Sequence, residues 1–384
     1  MKKVLYIATN SDLGGISKYL LEIVRYLPKD IVPYFVMSSA GYFSEELEKF
    51  GISKEQIHFI PMTNSIFDIK THIKSNIAKN IPTILTIHDA GLICPAGTLM
   101  LGNKEFCNKN LCNKNNVLPC ILNNCSANIE QSIRKSLRAV VERNFIKYID
   151  KFITPSDALR NVVVKANIGI NNEQIITINN FLEDSELNTI PNYTNKKYFL
   201  YVGRLSKEKG LIYLLKSIKE LPSNIDFHIV GTGDQESFLK QYAQDNNLKN
   251  VQFLGHKNHN ELKEEYQNCI STILPCTWFE IFGLTNIESF INGKPIIASN
   301  IGGIPEIVEN DVTGLLFKPA NVEELKKCIL KYWENPELAI LHGKNGYHKA
   351  LKEYTEDNYF SKLIQVYNDV YTKYNNLKLE SKIV

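Results

Sequence analysis

Residues 278–299 read WFEIFGLTNIESFINGKPIIAS, and the placing of two carboxylates in this stretch decides how the whole chain is read. Glu280 stands just ahead of the turn Phe282-Gly283, and Glu288 lies beyond it. In one continuous helix the eight-residue separation would rotate them about 80° apart, so they would not share a face. A loop followed by a helix resolves this. Glu280 then belongs to the loop, Gly283 lets the backbone approach a ligand closely, and Glu288 rides on the helix. The start of such a helix attracts anions, because its first N–H groups are unpaired and its dipole is positive there. The closing PIIAS reads as a buried strand.

Working outward, short apolar runs alternate with stretches of helical period. VLYIA, IVPYFVM, IHFIP, TILTIH, KFITPS and IITIN read as strands of the first half; YFLYVG, DFHIVG, VQFLG, STILP, PIIAS and GLLF read as strands of the second. Between them, GISKYLLEIVRYL, GLIYLLKSIKEL, ESFLKQYAQDNN and NHNELKEEYQNC repeat apolar residues at three and four. This alternation specifies an α/β chain with parallel sheets covered on both faces, and it occurs twice. The polar stretch near residues 181–196 is the linker, giving an N-terminal domain at 1–180 and a C-terminal domain at 181–384. Ligands of open α/β sheets bind beyond the carboxyl ends of the strands, so a central cleft is expected.

A chain of 384 residues exceeds one ordinary core, in keeping with two domains. Its net charge of +3 argues against nucleic acid as the main partner. The run Val4 to Ala8 is too short for a signal-peptide core, and no stretch approaches the roughly 20 apolar residues of a membrane span. A cytoplasmic location is expected, with reduced thiols. Five of the eight cysteines, Cys94, Cys107, Cys112, Cys120 and Cys125, fall in a polar insertion at about residues 92–128. They read either as a structural zinc site or as buried thiols, since the spacing lacks paired C-x-x-C knuckles.

Gly14-Gly15 follows the first strand and heads the first helix, without the G-x-G-x-x-G of a dinucleotide binder. No G-x-x-x-x-G-K-[ST] occurs either. In YVGRLSKEKG, Arg204 and Lys209 flank a turn that opens a helix near Gly210, a clamp suited to a diphosphate. His88 ends TILTIH, at a strand end that faces the expected cleft; it reads equally as a structural hydrogen-bonder or as a catalytic group.

Glu280, seven residues, Glu288, then GKPIIAS, GGIPEIV and TGLLF resemble the C-terminal signature of retaining GT-B glycosyltransferases, family 4 (glycosyl transferases group 1). VGRLSKEKG, the N-terminal GG and TIHDAGLICPAG resemble the same family's basic loop, glycine loop and histidine segment. The resemblance implies two Rossmann-like domains facing a cleft, with the final helix crossing back to the first. It implies that Arg204 and Lys209 bind the donor diphosphate, Glu280 the transferred sugar and Glu288 the ribose. The backbone at Gly203, Phe282, Gly283 and Leu284, with Gly14 and Gly15, would line the donor. His88 would approach the sugar, and the base would lie near His256 and Lys257.

The implied reaction is retaining transfer of a hexose or N-acetylhexosamine from a UDP- or GDP-linked donor to a glycan or lipid-linked acceptor in bacterial cell-surface synthesis. No cofactor is expected beyond the donor nucleotide sugar. The sequence has no Asp-x-Asp, so no catalytic metal is expected. The alternatives are a non-catalytic protein of the same fold and a Rossmann oxidoreductase or epimerase, the latter disfavoured by the glycine pattern. The basic helix beginning ANIEQSIRKSLRAVVER reads either as a packed helix with a solvated side or as a peripheral contact with the inner membrane face.

Overall fold

The computed structural model of the chain describes all residues except 1, 9–14, 38–40, 60–81, 102–104, 108–111, 113–115, 127, 145, 184–185, 187–189, 194–197 and 381–384. Gly14 lies outside the described residues. The chain divides into two compact units. One comprises Met1–Thr83, Lys147–Asp150 and Phe360–Val384; the other comprises Ile84–Ile146 and Lys151–Tyr359.

In the first unit, β1 (Lys2–Ala8), β2 (Ile31–Met37) and β3 (Ile57–Phe59) pair in parallel in that order. Helices α1 (Gly15–Tyr26) and α2 (Tyr42–Lys49) connect them. Phe35 is fully buried, stacked on Tyr6 and met edge-on by Phe43. The last helix, α13 (Glu356–Glu380), contributes Asn368, whose Oδ1 accepts from Lys2 Nζ at 2.6 Å, and Phe360, which stacks on Tyr26.

The second unit holds a parallel sheet of β4 (Ile84–Thr86), β7 (Lys151–Thr154) and β8 (Ile175–Thr177). The cysteine-bearing insertion forms a small hairpin, β5 (Met100–Leu101) with β6 (Glu105–Phe106), then α3 (Leu118–Leu122) and α4 (Ile129–Arg143). The buried guanidinium of Arg143 ties α4 to the loop after β4, donating to the carbonyls of Leu92 and Ile93 at 3.1 and 2.7 Å. Ser156 caps α5 (Asp157–Lys165) by accepting from Leu159 N.

The larger sheet runs β11 (Val251–Gly255), β10 (Asp226–Val230), β9 (Tyr198–Val202), β12 (Cys269–Leu274), β13 (Ile296–Ser299), β14 (Gly314–Phe317), all parallel. Nearly continuous apolar strands are what a sheet buried on both faces requires. One face packs Phe199, Phe227 and Ile273 under α6 (Leu211–Ile218) and α11 (Val322–Glu334). The other packs Leu274, Ile296 and Ala298 under α9 (Leu284–Ile291), α10 (Ile304–Ile307) and the end of α12 (Pro336–Glu353). Helices α7 (Glu236–Asp245) and α8 (His259–Asn268) complete the order.

The strand order reverses between β9 and β12. The chain builds outward from β9 through β10 and β11, then returns to lay β12 on β9's other side. Loops leaving the carboxyl ends of these two strands therefore diverge around a common opening, the place where such sheets bind ligands.

Stretches 84–146 and 151–180, expected with the N-terminal domain, are grouped with the second half of the chain. Direct bonds tie part of this stretch to that half. Ser156 Oγ donates to Ile281 O at 2.5 Å, and the Glu306 carboxylate accepts from the backbone N–H groups of Asp157 and Ala158.

Candidate functional site

The loops after β9 and β12 lock together through their backbones. Thr277 N and Oγ1 both donate to Glu208 O, at 2.9 and 3.2 Å. Gly210 closes the first loop in a left-handed conformation, φ +70°, where a Cβ would stand 2.0 Å from Pro275 O. Only glycine permits both the turn and the approach.

This junction brings together two of the expected residues that are 71 positions apart. Lys209 Nζ donates to Glu280 Oε2 at 2.7 Å, and both side chains are largely buried, 18% and 12% exposed. Trp278 Nε1 and Cys276 Sγ donate to the same oxygen, at 3.3 and 3.5 Å. The Lys209 ammonium also sits 5.4 Å from the Trp278 ring centroid. Burial works against the ammonium, but the charge and hydrogen bond of the Glu280 carboxylate outweigh it, and the pKa of Lys209 is raised. Lys209 is a fixed cation. A ligand carrying both an anionic group and hydroxyls would replace this internal pair with two external ones.

Arg204 occupies the start of the same loop, 64% exposed, with Nη2 donating to Glu208 Oε1 at 3.0 Å. Ser206 Oγ donates to the same carboxylate oxygen, which holds the loop in shape. Gly203 leads into it from β9. Behind Glu280, the turn after β13 presses close: Gly303 N donates to Glu280 O at 2.7 Å, and a Cβ on Gly302 would stand 2.1 Å from that oxygen.

Beyond Glu280, Phe282 is buried in the core against Tyr354, so only its backbone can serve a ligand. Gly283 is the N-cap of α9 and supplies no side-chain cap, leaving the helix start bare toward Leu284 and Thr285. Asn286, in the same first turn, keeps a buried Nδ2 that has no partner among the described residues. Glu288, half-buried on α9, accepts from Tyr266 OH at 2.7 Å. Burial raises its pKa, more than the Tyr266 hydrogen bond lowers it.

The remaining expected residues are placed elsewhere. His88 follows β4 in a different sheet; burial lowers its pKa, against a smaller opposite pull from Asp89, and the neutral imidazole is favoured. Asp89 Oδ1 accepts from Gly91 N, fixing the loop. Lys257 is paired with Glu265 at 3.0 Å, and that carboxylate also meets His228 Nδ1 at 2.8 Å. His256 beside it is exposed. Gly15 opens α1. The five clustered cysteines line a cavity of their own beside α3. Residues not anticipated as part of the site are Glu208, Cys276, Thr277, Trp278, Tyr266, Gly302 and Gly303. Trp278 and the GGIP run adjoin the acid pair in sequence, which was the available signal.

Over 96% of its length the chain matches the structure of the Anabaena protein Alr3699/HepE, solved in complex with UDP, with a TM-score of 0.70 at 18% identity and 100% of that chain covered. The fold is that of the GT-B glycosyltransferases. Residues 183–349 match the family model described as Glycosyl transferases group 1. The glycosyltransferase MJ1178 of Methanocaldococcus jannaschii is 28% identical over 233 residues, 60% of this chain and 62% of that protein. The O-antigen biosynthesis glycosyltransferase WbnH of Escherichia coli is 27% identical over 326 residues, 82% of this chain and 86% of that protein. The chain spans only 43% of the length of the glycogen synthase of Mycobacterium tuberculosis that it also matches.

Proposed function

We propose that the protein is a retaining, metal-independent glycosyltransferase of family 4 type. It would move a hexose or N-acetylhexosamine from a UDP- or GDP-linked donor to a glycan or lipid-linked acceptor in cell-surface polysaccharide synthesis. The observation that carries this reading is the Lys209–Glu280 pair at the sheet's switch point, beside the exposed Arg204 and the bare start of α9. That set suits one ligand with a diphosphate in the middle and hydroxyls at both ends.

In this reading the diphosphate lies against Lys209, Arg204 and the amides at Gly283 and Leu284, while Glu280 accepts from sugar hydroxyls and Glu288 from the ribose. The bond from the anomeric carbon to the diphosphate oxygen breaks as the acceptor hydroxyl attacks that carbon from the same face. The hydroxyl proton passes to the departing phosphate oxygen. Lys209 and Arg204 stabilise the charge that grows there, a task for preorganised cations in a dry site. Side chains and a helix dipole would supply the positive charge that a metal provides in other enzymes. His88, neutral, would orient the sugar. The UDP complex of the Anabaena neighbour and the O-antigen relative support the donor and acceptor classes.

Titration calorimetry with UDP, GDP and NAD is the direct test. Saturable binding of UDP or GDP, together with slow hydrolysis of one nucleotide sugar from a panel, is expected. Binding of NAD alone, or of none of them, would overturn the reading; nucleotide binding without any turnover would favour a non-catalytic partner.

The surface of α4 supports an acceptor held at a membrane. Its small or polar Ser132, Ser136, Ala139 and Arg143 face the protein, while Ile129 (60% exposed), Ile133, Leu137 (63%) and Val140 stand outward, with Arg134 exposed alongside. No described helix is long and apolar enough to cross a membrane. A stripe of large apolar side chains beside a basic edge suits an anionic lipid surface. The protein should co-sediment with phosphatidylglycerol vesicles, and Ile133→Asp with Leu137→Asp should reduce the bound fraction by roughly tenfold. Equal binding by the double variant would exclude this face.

A further inference from the structure

The donors that reach the Glu280 carboxylate all converge on one of its two oxygens. Lys209 Nζ, Trp278 Nε1 and Cys276 Sγ stand 2.7, 3.3 and 3.5 Å from Oε2. Among the described residues no donor reaches the other oxygen, Oε1. The last torsion of a glutamate is broad, so one oxygen is aimed only by what holds its twin. A carboxylate held in this lopsided way presents a single acceptor in a fixed direction.

The three donors are not equivalent. The ammonium is the one for which a diphosphate competes, because it carries the charge. The indole and the thiol are neutral. Burial pushes the pKa of the Cys276 thiol up, so its sulfur keeps the proton that it donates. At 3.3 Å the indole bond lies just beyond the usual N–H···O range, and it has room to shorten once the ammonium leaves. Trp278 is also anchored independently of the ion pair. Its ring packs against the core cluster that holds Phe282 and Ile287, and it lies 5.4 Å from the ammonium. Thr277, next to it, is bonded to Glu208 O through both N and Oγ1.

We propose that Trp278 is a positioning residue that takes over Glu280 Oε2 when Lys209 turns to the donor diphosphate, keeping Oε1 aimed at a hydroxyl of the transferred sugar; the assignment rests on the donor site proposed above. In the free protein Lys209 neutralises the carboxylate. With the donor bound, the ammonium's hydrogen bond passes to a phosphate oxygen, and the indole N–H and the thiol S–H hold Oε2. No proton leaves any of the three donors. Trp278 therefore serves turnover rather than nucleotide affinity, because a free nucleoside diphosphate has no sugar for Glu280 to hold.

Trp278→Phe keeps a ring against the core and removes the N–H. By calorimetry it should bind UDP or GDP, whichever the unaltered chain binds, within about twofold of the wild type. Its kcat with the nucleotide sugar that the wild type hydrolyses should fall about tenfold, the scale of one hydrogen bond to a charged group. In a Glu280→Gln background the same substitution should cost less than about twofold, since Trp278 acts through that carboxylate. Fluorescence reads the exchange without touching Trp278. The chain has two tryptophans, and Trp333→Phe, on α11, leaves Trp278 as the reporter. Its emission should change with the nucleotide at the Kd found by calorimetry, as the ammonium leaves the ring. This readout decides the matter even if Trp278→Phe does not fold. An unaltered kcat in Trp278→Phe, an equal loss of nucleotide affinity and turnover, or an emission unmoved at saturating nucleotide would each overturn the proposal. A chain that binds neither nucleotide would instead overturn the donor site itself, at the calorimetry step.

Discussion

Lys209→Met is expected to lower glycosyl transfer by about a thousandfold, the scale of losing a preorganised charge at a site of developing negative charge. The same change should destabilise the fold. Lys209 is the cationic partner of Glu280 in a pair with little solvent access, and its removal leaves the carboxylate with only the neutral donors Trp278 and Cys276. Breaking such a pair costs about 3 kcal/mol. The two effects separate in the double variant Lys209→Met with Glu280→Gln. Neutralising both partners should restore most of the lost stability while transfer stays at the level of the single variant. A thermal melt and a turnover assay on the four members of this cycle measure the coupling. If Lys209→Met turned over at the wild-type rate, Lys209 would not be the diphosphate cation. If the double variant were as unstable as the single one, Lys209 would hold the loop by packing on Trp278 rather than by charge.

How much of this was legible in the chain depends on the range of the interaction. Each strand expected from an apolar run is present, because a run such as YFLYV bounded by Gly203 carries both its burial and its end in adjacent residues. That Lys209 and Glu280 would lie in one pocket was expected, although 71 positions separate them; their direct ion pair was not. Each ends a loop from the carboxyl end of a strand, and the strand order places those strands side by side. What holds the loops was not readable. The bonds from Thr277 to Glu208 O and from Ser156 to Ile281 O run to backbone oxygens, which every residue offers, so the acceptor's sequence carries no mark. Gly302 packs against the backbone of Glu280, and its sequence shows a glycine without showing its neighbour. Lys257 illustrates the reverse: a cation in a suitable loop, held by Glu265 on the next helix. For the insertion, composition and spacing left structural zinc and free or loosely buried thiols both open, and among the described residues no three such side chains stand close enough to hold an ion.

Glu288→Gln should give the opposite stability sign from Lys209→Met, and with it a second separation of binding from folding. Burial raises the pKa of Glu288 above its ordinary value, with the Tyr266 hydrogen bond only partly opposing it. A carboxyl whose folded pKa exceeds its unfolded one contributes stability only while protonated. That contribution is complete below the unfolded pKa of 4.5 and is lost as pH rises through the folded pKa. Above its folded pKa the fold therefore carries a half-buried charge at a cost. Glutamine keeps an oxygen for Tyr266 OH and removes the charge. The variant should melt higher than the wild type at pH 7.5, and the difference should shrink toward zero near pH 4. Its affinity for the nucleotide should nevertheless fall, by about tenfold to a hundredfold, because a charged acceptor of ribose hydroxyls becomes a neutral one. Melts across this pH range, paired with UDP calorimetry, read both effects on one sample. A variant that melts lower at pH 7.5 would mean that the carboxylate is structural. A variant that melts higher yet binds UDP as tightly as the wild type would remove Glu288 from the ribose and leave its strained charge without a purpose in the donor site.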